Sequence, residues 1–134
     1  MTLKLTPYFK TNGNAKELIK FYQSVLDAQL IHIQTYGDMP IPFPDEFKEN
    51  VAHAIVKVGE TNLMFSDSPG QPVQVGDNLT INISLDNIEK AKLIFDGLRQ
   101  DGTIISPLEA TPFSPAFGTV TDKFGTTFTI TAES

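Results

Sequence analysis

The sequence predicts an α+β fold built from two modules, each of the order β-α-β-β-β. Three observations carry that prediction. Two amphipathic helical stretches have matched starts 72 residues apart, at 14 and 86. Segments that alternate apolar and polar side chains surround each helix. A stretch rich in Gly and Pro, "SPGQPVQVGDN", separates the two halves. The reading is one domain over 1–134, with module one at 1–68, a linker at 69–77 and module two at 78–134.

The first helix begins in "NGNAKELIKFYQSVLDA". Asn14 is the expected cap, and Glu17 three residues on completes a capping box. Leu18, Tyr22, Val25 and Leu26 share a stripe, with Phe21 beside it. The second helix begins in "LDNIEKAKLIFDGLRQDG", with Asp86 as cap, Glu89 as its box partner and Gly102 as its stop. Ile88, Ala91, Phe95 and Leu98 share its apolar face. The matched boxes, and Leu26 and Leu98 at the same offset, indicate an internal duplication.

Expected strands in the first half are Leu3 to Lys10, Gln29 to Tyr36, Val51 to Val58 and Thr61 to Ser66. Those in the second are Leu79 to Leu85, Thr103 to Pro107, Gly118 to Thr121 and Thr126 to Thr131. Asp122 to Gly125 is a tight turn, with Gly125 free to take a positive φ. Tyr36 to Asn50 holds Pro40, Pro42 and Pro44; an irregular segment that long suits a lid or a dimer contact.

Composition narrows the function. No cysteine is present, which excludes disulfides, thiol catalysis and zinc–thiolate sites and favours a cytoplasmic home. The net charge is -6, and the basic residues are scattered along the chain, which argues against nucleic acid as a partner. No segment reaches the roughly 20 apolar residues of a membrane span, and "MTLKLTPYF" reads as neither signal nor anchor. There is no phosphate-cradling glycine loop, nucleophile elbow or paired-histidine helix. Nor does a glycine-rich turn follow a first strand, as a doubly wound cofactor site requires.

"PYFKTNGNAKELIKFYQSVLDAQL", "YGDMP", "AHAIVKVGETNLMFSDS" and "FGTVTDKFGTTFTI" resemble the PhnB-like branch of the vicinal oxygen chelate superfamily. That superfamily includes glyoxalase I, extradiol dioxygenases and bleomycin- and fosfomycin-resistance proteins. The resemblance implies a curled mixed sheet with an internal cup, helices on the outer face, and a homodimer. Metal-using members hold four His, Glu or Gln ligands on four cup strands. The matching positions here are near Pro7, Met64, Thr80 and Thr129, with Thr6 or Tyr8 as alternatives to the first. These are poor donors for a hard or borderline divalent ion, so no metal and no other cofactor is expected.

Strand alternation assigns the faces. Leu79, Ile81, Ile83 and Leu85 should lie under a helix, as should Leu63, Phe65, Phe128 and Ile130. Ala52, Ala54, Val56 and Val58 form a further apolar face. That turns Thr80, Asn82, Ser84, Asn62, Met64, Ser66, Thr127, Thr129 and Thr131 towards the cup. The expected ligand wall is Asn62, Met64, Thr80, Asn82 and Thr129, with His53, Phe113 and Phe117 at its edges. In "LIHIQ", Leu30 and His32 share a face, which makes His32 a surface residue. His53 and Glu109 are the candidates for acid–base work, Glu109 in a loop beside Phe113 and Phe117. The expected function is metal-independent binding of a small polar or amphipathic molecule. The alternative is a divalent-metal-dependent lyase, isomerase or dioxygenase with ligands such as His53 and Glu109. A ligand-free regulatory or scaffold module is a third reading.

Overall fold

The computed structural model describes residues 3–133. The chain forms two compact units, Met1–Val73 and Gln74–Ser134. The first unit contains β1 (Tyr8–Thr11), α1 (Ala15–Leu26), β2 (Gln29–Thr35), β3 (Val51–Val58) and β4 (Thr61–Asp67). The second contains β5 (Thr80–Leu85), α2 (Ile88–Leu98), β6 (Thr103–Thr111), β7 (Ser114–Thr121) and β8 (Thr127–Ala132). The sheets have the orders β1-β4-β3-β2 and β5-β8-β7-β6. In each, the first strand pairs parallel with the last, and the other pairs are antiparallel. The predicted α+β duplication is therefore present as one topology used twice.

Each unit buries one face of its sheet under its own helix. Leu18, Ile19 and Tyr22 of α1 are buried along with Ala54, Val56, Leu63 and Phe65 of β3 and β4. In the second unit Ala91, Ile94, Phe95 and Leu98 of α2 are buried along with Val120, Phe128 and Ile130. Period 3.6 on the helix and period 2 on the strands meet at these positions. Ile81, Ile83 and Leu85 are only half-buried, because β5 is an edge strand, and Leu79 lies outside it, exposed.

The helix starts differ from the expected boxes. Asn14 stands at the cap position of α1, but its side chain accepts from the Asn12 N–H and makes no cap bond to the helix. The first helical N–H, that of Ala15, is taken at 3.0 Å by the carboxylate of Asp67 at the end of β4. In α2 the cap is Asn87, whose side chain accepts from the Lys90 N–H at 2.9 Å, not Asp86. The matched boxes therefore do not exist, and the duplication rests on the repeated strand order instead.

Three strand boundaries also move by several residues. β1 starts at Tyr8, and Leu3 and Leu5 are exposed. Proline has no N–H to give a ladder, so Pro7 joins only through its carbonyl, which accepts from Met64 N–H. β6 runs through Pro107 to Thr111, and β7 begins at Ser114. β6 is an edge strand with shifted register between Ser106 and Glu109, and that is where a sheet tolerates proline. "SPLEATPFSP" is thus a hairpin, with Glu109 on a strand opposite Phe117 and not in a loop.

Gly125 has φ 94°, as the turn between β7 and β8 requires. Gly102 has another role than stopping α2, which ends at Leu98. A Cβ at Gly102 would overlap the carbonyl oxygen of Thr121. Gly102→Ala should therefore force β6 and β7 apart at that end and cost about 1–3 kcal/mol, read as a fall in melting temperature.

The segment between β2 and β3 is folded. It carries short 3₁₀ turns at Tyr36–Asp38 and Asp45–Phe47. The Tyr36 hydroxyl donates to the Asp67 carbonyl at 2.9 Å, and the Tyr36 and Phe43 rings are 4.7 Å apart. Thr35 N–H donates to the Asp38 carboxylate, and this backbone bond holds Asp38 below the usual carboxylate pKa. The segment encloses a concavity of about 340 Å³ lined by Tyr36, Met39, Ile41, Phe43 and Lys48 among others.

Candidate functional site

Each sheet leaves one face away from its helix. In the first unit, Tyr8, Met64 and Ile55 lie side by side across β1, β4 and β3, and His32 of β2 is the partner of Ile55. His53, two residues from Ile55, shares that face. Its Nδ1 lies 3.2 Å from the Tyr8 hydroxyl. The His32 and His53 ring centroids are 6.1 Å apart. With the phenol donating, the His53 ring proton sits on Nε2, available to a further acceptor.

This trio was only partly visible beforehand. A register shift between Leu30 and His32 inserts one residue in β2. Leu30 and His32 therefore do not share a face; His32 is exposed, as expected, and stands beside His53. Tyr8 and His53 are far apart in sequence and meet only through β4, which lies between their strands. Asn62 and Met64, the expected wall residues of this unit, are half-buried on the same face.

In the second unit Asn82 is a hydrogen-bond hub. Its Oδ1 accepts from Thr129 at 2.7 Å and Thr131 at 2.8 Å, and its Nδ2 donates to Ser84 Oγ at 2.7 Å. Thr121 and Thr127 share a further hydroxyl contact at 2.8 Å. Because β5 and β8 run parallel with Asn82 opposite Thr129, side chains of three adjacent rows can converge on one amide. The hydroxyl protons of Thr129 and Thr131 are committed to Asn82. Their free lone pairs make this face an acceptor surface, while Ser84 keeps its proton to donate.

Thr80 is exposed beside this hub. Phe117 is half-buried and meets the ring of Phe113 edge-on at 5.0 Å. Phe113 is 69% exposed at the hairpin tip. Glu109 is exposed on β6, so burial does not prepare it as a base.

The positions at which metal-using relatives place ligands do not fit a divalent cation. Met64 offers a thioether, and the Thr129 proton is already given to an amide. Among the described residues, no three of His, Cys, Asp or Glu come together as a metal site. His53 and Glu109, the alternative ligand pair, belong to different units. No helix among the described residues is long and apolar enough to cross a membrane.

The paired βαβββ topology is the fold of the glyoxalase/bleomycin resistance/dioxygenase proteins. A domain of that description from Frankia sp. EAN1pec shares it at TM-score 0.71 and 10% identity, over 100% of this chain and 99% of that one. Residues 3–131 match the family described as 3-demethylubiquinone-9 3-methyltransferase. The chain belongs to that PhnB-like family. It is 30% identical to Protein YjdN of Escherichia coli (strain K12), over 92% of this chain and 90% of that protein. A crystal structure of protein PA1353 from Pseudomonas aeruginosa is 32% identical, with TM-score 0.88 over 98% of both chains. A putative 3-demethylubiquinone-9 3-methyltransferase, PhnB protein, from Bacillus cereus is 28% identical, with TM-score 0.81 over 97% of this chain and 99% of that one.

Proposed function

We propose that this chain binds a small polar or amphipathic molecule through the open faces of its sheets, without a metal. The observation that carries the reading is the Asn82 hub, which orders Thr129, Thr131 and Ser84 in advance. Side chains already fixed lose little entropy on binding, so such a face suits recognition. The positions of divalent ligands in relatives hold poor donors, which supports binding over metal-dependent chemistry. Methyl transfer is not carried over from the family description. A doubly wound nucleotide site needs adjacent parallel strands around a strand-turn-helix crevice, and here parallel pairing is confined to β1–β4 and β5–β8. We read the chain as a cytoplasmic homodimer, supported by its lack of cysteine and by the family resemblance.

A second reading is favoured by one contact. The Tyr8–His53 hydrogen bond orients an imidazole, as acid–base catalysis requires. In the tautomer whose Nδ1–H donates to the Tyr8 oxygen, Nε2 is the free base of a metal-free enzyme, and turnover lost in His53→Gln with binding kept would select that reading.

Thermal-shift measurement against a metabolite panel tests the main reading. A ligand at about 100 times its Kd should stabilise the fold by roughly 2.7 kcal/mol. Asn82→Ala should remove most of that gain for the same ligand. Stoichiometric zinc, nickel, manganese or iron in protein purified without chelator would overturn it.

A further inference from the structure

We propose that the open face of the first sheet receives an oxyanion, carboxylate or phosphate, carried on a small apolar body. The inference rests on the binding reading above and names the ligand class. The sequence shows scattered basic residues and a net charge of -6. Folding sorts those charges. Lys10 is the β1 partner of Ser66, and Lys57 is the β3 partner of Asn62. Both therefore stand on the same face as Tyr8, His32 and His53, at opposite corners of that patch.

No strand position facing that way holds an acid. Asp67 lies on β4 but points to the other face and is buried, and Glu60 lies in the turn between β3 and β4. The acids of this unit otherwise sit on α1 or in the segments between elements. Neither Lys10 nor Lys57 is in an ion pair among the described residues, whereas Lys16 and Lys48 are. Two uncommitted ammonium groups, with no acidic side chain on the same strand face and with His53 on β3 four residues from Lys57, make this face cationic, which attracts anions.

The middle of the patch sets the rest of the ligand. Ile55 and Met64 are half-buried neighbours beside the Tyr8 ring. An apolar or aromatic body can lie on that row while its anionic end reaches a lysine and His53. The face of the second sheet is built the other way, with acceptor lone pairs and no lysine or arginine on its hydroxyl rows. The anion preference therefore belongs to the first sheet.

The test is a titration of the isotope-labelled full chain with benzoate, phenyl phosphate and the neutral benzamide, followed by backbone amide NMR at fixed ionic strength. Benzoate or phenyl phosphate should shift residues of β1, β3 and β4 saturably, and which binds tighter decides between carboxylate and phosphate. Lys10→Gln combined with Lys57→Gln should raise Kd by about ten-fold, with the rest of the spectrum unmoved. His53→Gln should weaken binding further. Saturable shifts by benzamide equal to those by the anions, unchanged in the lysine variant, would overturn the anion assignment and leave the binding reading standing. Shifts absent from these strands with all three probes would overturn it too, and the metabolite panel then judges the binding reading separately.

Discussion

Replacing Asp67 with alanine lowers the melting temperature by on the order of 10 °C, about 3 kcal/mol for a chain of this size. Asp67 is 2% exposed at the end of β4. One carboxylate oxygen accepts from the Thr11 hydroxyl at 2.6 Å and the Ala15 N–H at 3.0 Å. The other accepts from the Val51 N–H at 2.8 Å. A single side chain thus joins the end of β1, the first turn of α1 and the start of β3. Alanine would leave the buried N–H groups of Ala15 and Val51 without partners and the Thr11 hydroxyl with only the Ser66 carbonyl at 3.2 Å, and each lost partner costs on the order of 1 kcal/mol or more. The helix start would also lose a negative charge at its positive end. Asp67→Asn separates these effects, because its amide oxygen can serve one side while its NH2 meets an N–H donor on the other. It should fall between wild type and Asp67→Ala in urea denaturation. A loss below about 1 kcal/mol in Asp67→Ala would show that water replaces the carboxylate at little cost.

Asp67 also marks the limit of what the sequence discloses. The bounds Val51 to Val58 could be read to the residue, because Gly59–Glu60 ends the strand, but a register shift at its start buries Val51 where alternation gave the apolar face to Ala52. The helix faces were legible from their spacing, and Leu18, Tyr22, Ala91, Phe95 and Leu98 are all buried. The cap of α1 was not, since its acceptor lies 52 residues downstream, while a local Asn-Glu pair mimicked a box. Prolines 107 and 115 disguised the β6–β7 hairpin as a loop. One inserted residue in β2 put Leu30 and His32 on opposite faces. The hydroxyl rows around Asn82 could be read from parity, but the direction of their hydrogen bonds could not. That direction depends on register between β5 and β8, which the intervening helix and strands separate in sequence.

Phe65→Ala should cost about 3–5 kcal/mol, a large share of the 5–15 kcal/mol typical of a domain. Phe65 is fully buried on the helix side of β4. Its ring stacks on Phe9 at 4.8 Å and lies 6.2 Å from Tyr22 of α1. Strand and helix meet through these three rings, so truncation leaves a cavity that the backbone of a paired central strand cannot collapse to fill. The neighbour in sequence is the control. Met64 faces the opposite side and is half-buried, and Met64→Ala should cost less than about 1 kcal/mol. Guanidinium unfolding with an unchanged m-value in both variants would assign the difference to packing. Because Phe65 and Met64 differ by one position, the ratio of the two losses measures strand parity directly. Comparable losses in both would mean that Met64 is core, and the open face on which the binding proposals stand would then be misassigned.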